Sequence, residues 1–119
     1  MTTKQIADRL VEFCRKGDME GAQKELFADD AVSIEATAGG GFEKETRGRE
    51  ALAKKGAQWN AMVEKVHSME MSDPLIATNS FACTLRMHVD MKGKGPMDIK
   101  ELCVYKVKDG KIISEEFSM

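Results

Sequence analysis

The sequence predicts an α+β domain in which helices from the N-terminal half cover one face of a mostly antiparallel sheet. Three observations support this prediction. Apolar residues recur at helical spacing near the N-terminus and again in residues 48–65. Apolar and polar residues alternate from Ser80 to Met91, which is typical of a strand with one buried face. Finally, two runs rich in β-branched and aromatic residues flank Lys108-Asp109-Gly110, which predicts a closing β-hairpin.

The length and composition are typical of one soluble globular domain over residues 1–119. The chain is 42% hydrophobic and 32% charged, and its net charge is −2. This balance gives no reason to expect nucleic acid or a membrane as a partner, and no apolar run approaches the roughly 20 residues of a membrane span. The polar N-terminus does not resemble a signal peptide. Three cysteines without metal-ligand spacing then favour a cytoplasmic protein with reduced thiols, no metal and no cofactor.

Capping residues mark the first two helices. Thr2 and Gln5 resemble a capping box at the start of the first helix. Gly17 suits the C-terminus of that helix, and Asp18 can cap a second, shorter one. The chain therefore opens with a pair of helices before its first strand.

The middle of the chain predicts two strands, a long helix and two further strands. Residues 32–37 form the first strand, Gly39-Gly40-Gly41 a flexible loop, and residues 42–47 a short edge strand. In the long helix of residues 48–65, Gly56 weakens the helix, which we interpret as a sign of close approach by another backbone. Residues 67–77 are strand-like, and Pro74 implies an edge or a bulge there.

The register of the closing hairpin decides which side chains share the inner face. A two-residue loop places Tyr105 beside Ser114, whereas a three-residue loop with a glycine bulge places Tyr105 beside Ile113. We favour the three-residue loop, because it gathers apolar side chains onto one face. That face then also carries the carboxylates of Glu101 and Glu115.

Five segments, taken in order, resemble a known family. They are Ala7-Asp8-Arg9-Leu10, Gly17-Asp18, Leu26-Phe27-Ala28-Asp29-Asp30-Ala31-Val32, Gly48-Arg49-Glu50-Ala51-Leu52, and Val104-Tyr105-Lys106-Val107-Lys108-Asp109-Gly110-Lys111-Ile112. Together they resemble SnoaL-like domains of the nuclear transport factor 2-like (NTF2-like) superfamily. The resemblance implies a cone, in which a curved, mostly antiparallel sheet wraps around three helices from the N-terminal half and encloses a cavity. It also implies a likeness to polyketide cyclases and a ketosteroid isomerase-like fold, although this fold hosts catalysts and binders alike.

The similarity to steroid isomerases implies one functional position. Their catalytic base follows an Asp-Asp-Ala motif, and the matching position here is Glu35. Their tyrosine and acidic proton donors match Leu10 and Cys103, which are not equivalent donors. The resemblance therefore argues against ketosteroid isomerisation and leaves Glu35 as the matched residue.

The predicted site combines carboxylates with an apolar wall. We predict Glu35, Glu101 and Glu115 as catalytic residues, because carboxylates crowded in an apolar cavity acquire raised pKa values suited to proton transfer. The predicted ligand-binding side chains are Trp59, His67, Cys103, Tyr105 and Phe117. Glu35 can instead lie at the rim, paired with a lysine.

These observations favour an acid–base isomerase, cyclase or hydrolase of a small apolar molecule, with Glu35 as the base. The competing interpretation is a non-catalytic domain that binds a small ligand or dimerises. We also expect a homodimer that pairs through the outer sheet face, because Leu102 and Val104 would otherwise leave that face apolar and bare. The polar row of Arg86, His88 and Asp90 is assigned to the same outer face.

Overall fold

The computed structural model describes residues 1–36 and 42–119, so the predicted glycine loop lies outside the described residues. Within them, three helices precede or interrupt a set of strands. The helices are α1 (Thr3–Arg15), α2 (Met19–Leu26) and α3 (Arg49–Met62). The strands are β1 (Phe27–Ile34), β2 (Glu45–Arg47), β3 (Val63–Met71), β4 (Leu75–Ile76), β5 (Ser80–Met91), β6 (Gly95–Lys108) and β7 (Lys111–Ser118).

The strands form one open, curved sheet with the order β2-β1-β7-β6-β5-β3, and β4 pairs separately with β5. All pairs are antiparallel except β1 with β7, so the first and last strands lie side by side and parallel. The helices pack against the concave face of this sheet. This arrangement confirms the predicted α+β fold, in which a curved, mostly antiparallel sheet carries the helices on one face.

The predicted capping signals are confirmed in the first two helices. Thr2 Oγ1 accepts a hydrogen bond from the backbone N–H of Gln5, and the Gln5 side chain accepts one from the backbone of Thr2. Gly17 has a positive φ of 74° after α1, and Asp18 accepts the N–H of Gly21 at the start of α2. The inner face of α1 is fully apolar: Ile6, Ala7, Leu10, Val11 and Cys14.

Several element boundaries differ from the prediction. Strand β1 begins at Phe27, directly after α2, and α3 ends at Met62, where the β-branched Val63 opens β3. The predicted strand of residues 67–77 is two strands, separated by a loop that contains Pro74. The explanation given for Gly56 is wrong, because in the described part of the chain no atom lies within 4 Å of where a Cβ would be.

The closing hairpin is present, but its predicted three-residue loop is wrong. Asp109 and Gly110 have φ values of 52° and 76°, which makes a two-residue turn of the type whose twist suits a hairpin. A bulge at Ile113 then shifts the register. Tyr105 therefore pairs with Glu115 rather than with Ile113 or Ser114, and Glu115 still lies on the inner face.

The core lies between α1, α2 and the inner face of the central strands. Phe81 of β5 and Tyr105 of β6 are paired and stacked, with ring centroids 4.8 Å apart. Further along the same two strands, the inner-face side chains become only half buried: Leu85, Met87, Met97 and Ile99. Val89 and Met91, at the far end of β5, are buried again, so the half-buried apolar stretch lies between two closed parts of the inner face. Glu101, which pairs with Leu85, adjoins this stretch.

Candidate functional site

The three predicted carboxylates lie on one face of the sheet, contributed by three different strands or strand ends. Glu115 on β7 pairs with Tyr105 on one side and with Ser33 of β1 on the other. Glu101 shares the inner face of β6 with Tyr105, because alternate residues of a strand point the same way. Glu35 follows β1 two positions after Ser33. The carboxyl groups of Glu35 and Glu101 both act electrostatically on Glu115.

Glu115 is the most buried carboxyl group of this set. It is only 5% exposed, and its Oε2 has no hydrogen-bond partner within the described residues. Burial raises the pKa of Glu115 to about 7, while a hydrogen bond with Ser33 and the charge of Lys55 lower it. Near neutral pH this carboxyl group therefore populates both its protonated and its charged form.

Lys55 brings a positive charge to the carboxylates from the inner side of α3. Its Nζ donates a hydrogen bond to Ser33 Oγ at 2.9 Å and forms an ion pair with Glu35. The same ammonium group lies 5.7 Å from the ring centroid of Phe117. Ser33 is fully buried between Lys55 and Glu115. These contacts connect Glu35, Lys55, Ser33 and Glu115 in that order.

The other two carboxylates differ in their surroundings. Glu35 is partly exposed and paired with Lys55, which matches the alternative in which it lies at the rim beside a lysine. Burial raises the pKa of Glu101, and the charge of Glu35 raises it further, whereas Lys55 lowers it. With one ammonium group among three carboxyl groups, the cluster favours keeping a proton on one of the carboxyls.

Four of the predicted ligand-binding side chains divide into two groups by burial. Tyr105 and Cys103 are fully buried, and Tyr105 lies against Phe81. Trp59 on α3 and Phe117 on β7 are half buried. Of this set, Trp59 and Phe117 are the ones with surface available to a ligand.

The predicted position of His67 in the cavity is wrong. A bulge between Val66 and Ser68 interrupts the alternation of β3 and turns the His67 ring to the outer face. There His67 Nε2 lies 2.9 Å from Asp90 Oδ2, and its ring lies 4.7 Å from that of His88. The predicted outer-face row of Arg86, His88 and Asp90 thus gains a fourth polar side chain.

Sequence analysis missed Ser33 and Lys55. Lys55 follows Leu52 by three residues and precedes Trp59 by four, so helical spacing places its charge on the apolar stripe of α3. Ser33 follows the buried Ala31 by two residues and shares its face. In both cases the signal in the sequence was a polar residue at a position where the pattern of α3 or β1 predicts a buried apolar one.

Residues 1–36 and 42–119 contain surface clefts but no metal site. No group of three or more His, Cys, Asp or Glu side chains in these residues is arranged to hold a metal ion. Two surface clefts, of about 410 and 190 Å³, lie beside α1 near Pro74 and between α2 and α3, away from the carboxylates. None of the described helices is long and apolar enough to cross a membrane.

The SnoaL-like domain family profile matches residues 1–119 of this chain. The protein belongs to the SnoaL-like family. A crystal structure of a candidate SnoaL-like polyketide cyclase [carbohydrate phosphatase] from Mesorhizobium loti is 33% identical, with a TM-score of 0.92 and full coverage of both chains. No curated protein gives a significant match to this SnoaL-like chain.

More distant structures share the fold of this SnoaL-like protein. A protein of unknown function with a cystatin-like fold from Xanthomonas campestris is 16% identical, with a TM-score of 0.82 over 98% of this chain and 89% of that chain. A Catenulispora acidiphila protein with a ketosteroid isomerase-like fold, in complex with trimethylamine, is 19% identical, with a TM-score of 0.75 over 99% and 87%. These two likenesses concern the fold alone.

Proposed function

We propose that this SnoaL-like protein is an acid–base enzyme that isomerises, cyclises or hydrolyses a small apolar molecule, and that Glu115 transfers the proton. The observation that supports the proposal is the buried carboxyl group of Glu115, whose Oε2 lacks a hydrogen-bond partner in the described residues. A buried polar atom without a partner is costly, and function is one reason for a protein to retain it.

The surroundings give the other polar groups distinct roles. As a carboxylate, Glu115 removes a proton from carbon next to a substrate carbonyl and becomes neutral; it then returns that proton to complete an isomerisation. The Lys55 ammonium group stabilises negative charge that develops on the substrate oxygen. Glu35 orients Lys55 through their ion pair, and Ser33 links Lys55 to Glu115. The base assigned here is thus Glu115, with Glu35 as its positioning partner.

An apolar substrate suits the inner sheet face beside this cluster. Glu101 pairs with Leu85, and the next inner-face pair is Met87 with Ile99. Flexible methionine side chains adapt to ligands of irregular shape. The similarity to the Mesorhizobium loti protein described as a candidate polyketide cyclase adds support for a carbonyl-containing substrate.

Proton exchange at a model ketone tests the proposed chemistry. In D₂O near pH 7, we expect the protein to accelerate deuterium incorporation next to the carbonyl of 1-tetralone, an apolar bicyclic ketone, as followed by NMR. Glu115→Gln keeps the side-chain shape, removes the titrating proton and should abolish the acceleration. Glu116→Gln, at the exposed neighbouring position, is the matched control and should retain it. Equal exchange rates for the parent and Glu115→Gln would contradict the assignment.

A non-catalytic ligand-binding or dimerisation domain is the second candidate function. It is favoured by the Lys55–Glu35 ion pair, which neutralises the family-matched base, and by Leu10 and Cys103 at the positions of the expected donors. In that case 1-tetralone would shift NMR resonances of the inner-face methionines equally in the parent and Glu115→Gln, without exchange in either. Comparing NMR shifts and deuterium exchange between the parent and Glu115→Gln thus distinguishes binding from catalysis.

A further inference from the structure

Strand β3 is an open edge of the sheet. Among residues 1–36 and 42–119 it is the last strand in the order β2-β1-β7-β6-β5-β3 and pairs only with β5. Seven of its nine residues in succession, from Glu64 to Glu70, are exposed. Only its C-terminal end is covered, where the Met71 carbonyl oxygen accepts a hydrogen bond from Arg15 at 2.9 Å. An open edge of this length offers unpaired backbone groups to another strand.

The exposed side chains of β3 divide between two faces. Val66 and Met69 pair with Val89 and Met87, so they lie on the inner face, where they are 52% and 39% exposed. Lys65 and Glu70 pair with Asp90 and Arg86 and lie on the outer face. Neither Lys65 nor Glu70 makes an ion pair within 4.0 Å in the described part of the chain.

Apart from the bulged His67, this stretch of β3 is symmetrical in chemical character. Because His67 is the extra residue of the bulge, the paired residues in order are Lys65, Val66, Ser68, Met69 and Glu70. Ser68 is at the centre, an apolar residue lies on each side of it, and the two ends carry opposite charges. An antiparallel second copy with Ser68 opposite Ser68 would place Lys65 against the partner's Glu70 and Val66 against the partner's Met69. Two-fold symmetry makes each of these pairs twice.

We propose that two copies of this chain associate edge to edge through β3, antiparallel and in the register centred on Ser68. Directly opposite residues of an antiparallel pair share a face, and here both members of each cross-copy pair already do so. Opposite charges and apolar pairs across such a ladder are stabilising, whereas like charges are destabilising. His67 does not obstruct the approach, because its side chain contacts Asp90 and His88 of its own sheet.

Bulges and charges on an edge strand commonly protect it against pairing. In β3 the charges of Lys65 and Glu70 instead favour one pairing register over the others. The register centred on Ser68 matches both charges with opposite ones, and a shifted register loses these matches. The edge is therefore suited to a second copy of this chain in a single arrangement, rather than to any extended peptide. This surface is distinct from the outer sheet face that carries Leu102 and Val104.

Charge reversal tests the register. Lys65→Glu and Glu70→Lys each create two like-charge pairs across the symmetric interface, and each should weaken dimerisation by at least about tenfold in sedimentation equilibrium. Lys65→Glu combined with Glu70→Lys in one chain restores both pairs and should return the Kd to near its original value. An equimolar mixture of the two single variants should form heterodimers for the same reason. Lys94→Glu, in an exposed turn, is the charge control and should leave the Kd unchanged.

Two results would overturn the proposal. One is a parent protein that stays monomeric up to about 1 mM. The other is a dimer that Leu102→Glu weakens while both charge reversals at β3 leave its Kd unaltered, which would assign the contact to the outer sheet face. A reduction from tetramer to dimer by Glu70→Lys would support the edge contact alongside an outer-face one.

Discussion

Glu115→Gln should change how the stability of this protein depends on pH. In the unfolded chain the carboxyl group of Glu115 loses its proton near its ordinary pKa of 4.5. In the folded protein its pKa is raised to about 7. Between these values the folded state holds a proton that the unfolded state has released. The contribution of this group to stability is therefore complete below pH 4.5 and is lost as the pH rises through about 7.

The size of this effect follows from the two pKa values. Raising a pKa from 4.5 to about 7 corresponds to about 3 kcal/mol of folding free energy. Glutamine has a similar shape and does not titrate in this range, so the variant does not lose this contribution. Relative to the parent, we expect Glu115→Gln to gain about 3 kcal/mol between pH 4.5 and a pH above 7.

Urea unfolding at a series of pH values measures this difference, with the fluorescence of Trp59, the single tryptophan, as the signal. Subtracting the two unfolding free energies at each pH removes the titration of groups that do not interact with Glu115. Glu116→Gln, at the exposed adjacent position, should run parallel to the parent throughout. A difference that stays flat with pH, or that turns against Glu115→Gln as the pH rises, would refute the assignment of a raised pKa.

Further predictions concern backbone, thiols and assembly. Gly56→Ala should stabilise the protein by up to about 1 kcal/mol in urea titrations, because it lies within α3 with space for a methyl group. Gly110→Ala should destabilise it by about 1–2 kcal/mol, since its φ is 76°; equal effects of the two substitutions would contradict this reasoning. Cys83 and Cys103 are paired across β5 and β6 as free thiols, and a reductant should leave the Tm unchanged; a drop of several degrees would indicate a disulfide. Light scattering should give twice the chain mass for the parent and less for Glu70→Lys, whose position lies on the exposed edge of β3; a parent of single mass would oppose any dimer.

The sequence predicted those parts of the fold that depend on local patterns. The capping box at Thr2 is confirmed, and so are the bounds of β5, whose apolar and polar residues alternate without interruption. Prediction failed where a single extra residue changes the register. The bulges at Ile113 and beside His67 leave no clear signal in the sequence, yet each one reverses the faces of the residues that follow.

The candidate site was predictable in its carboxylates and unpredictable in their partners. Glu101 follows from strand alternation, and Glu35 follows from the family resemblance. Glu115 was placed on the inner face by a loop length that is wrong, and the bulge at Ile113 restores that placement. Lys55 and Ser33 come together through the packing of α3 on β1, a long-range contact that no local pattern reports. Because the position of Lys55 could not be predicted, the sequence did not indicate which carboxyl group, Glu35 or Glu115, would form the ion pair.

The parallel pairing of β1 with β7 has a consequence for the timing of folding. Ser33 and Glu115 are neighbours in the sheet but lie near opposite ends of the sequence. Contacts between such distant positions slow folding, because a large loop must close before they form. During translation the helices and the β5–β6 hairpin can form early, whereas the cluster waits for the final strand to leave the ribosome. A nascent chain that stops before β7 would therefore contain most of the fold and none of the proposed proton-transfer chemistry.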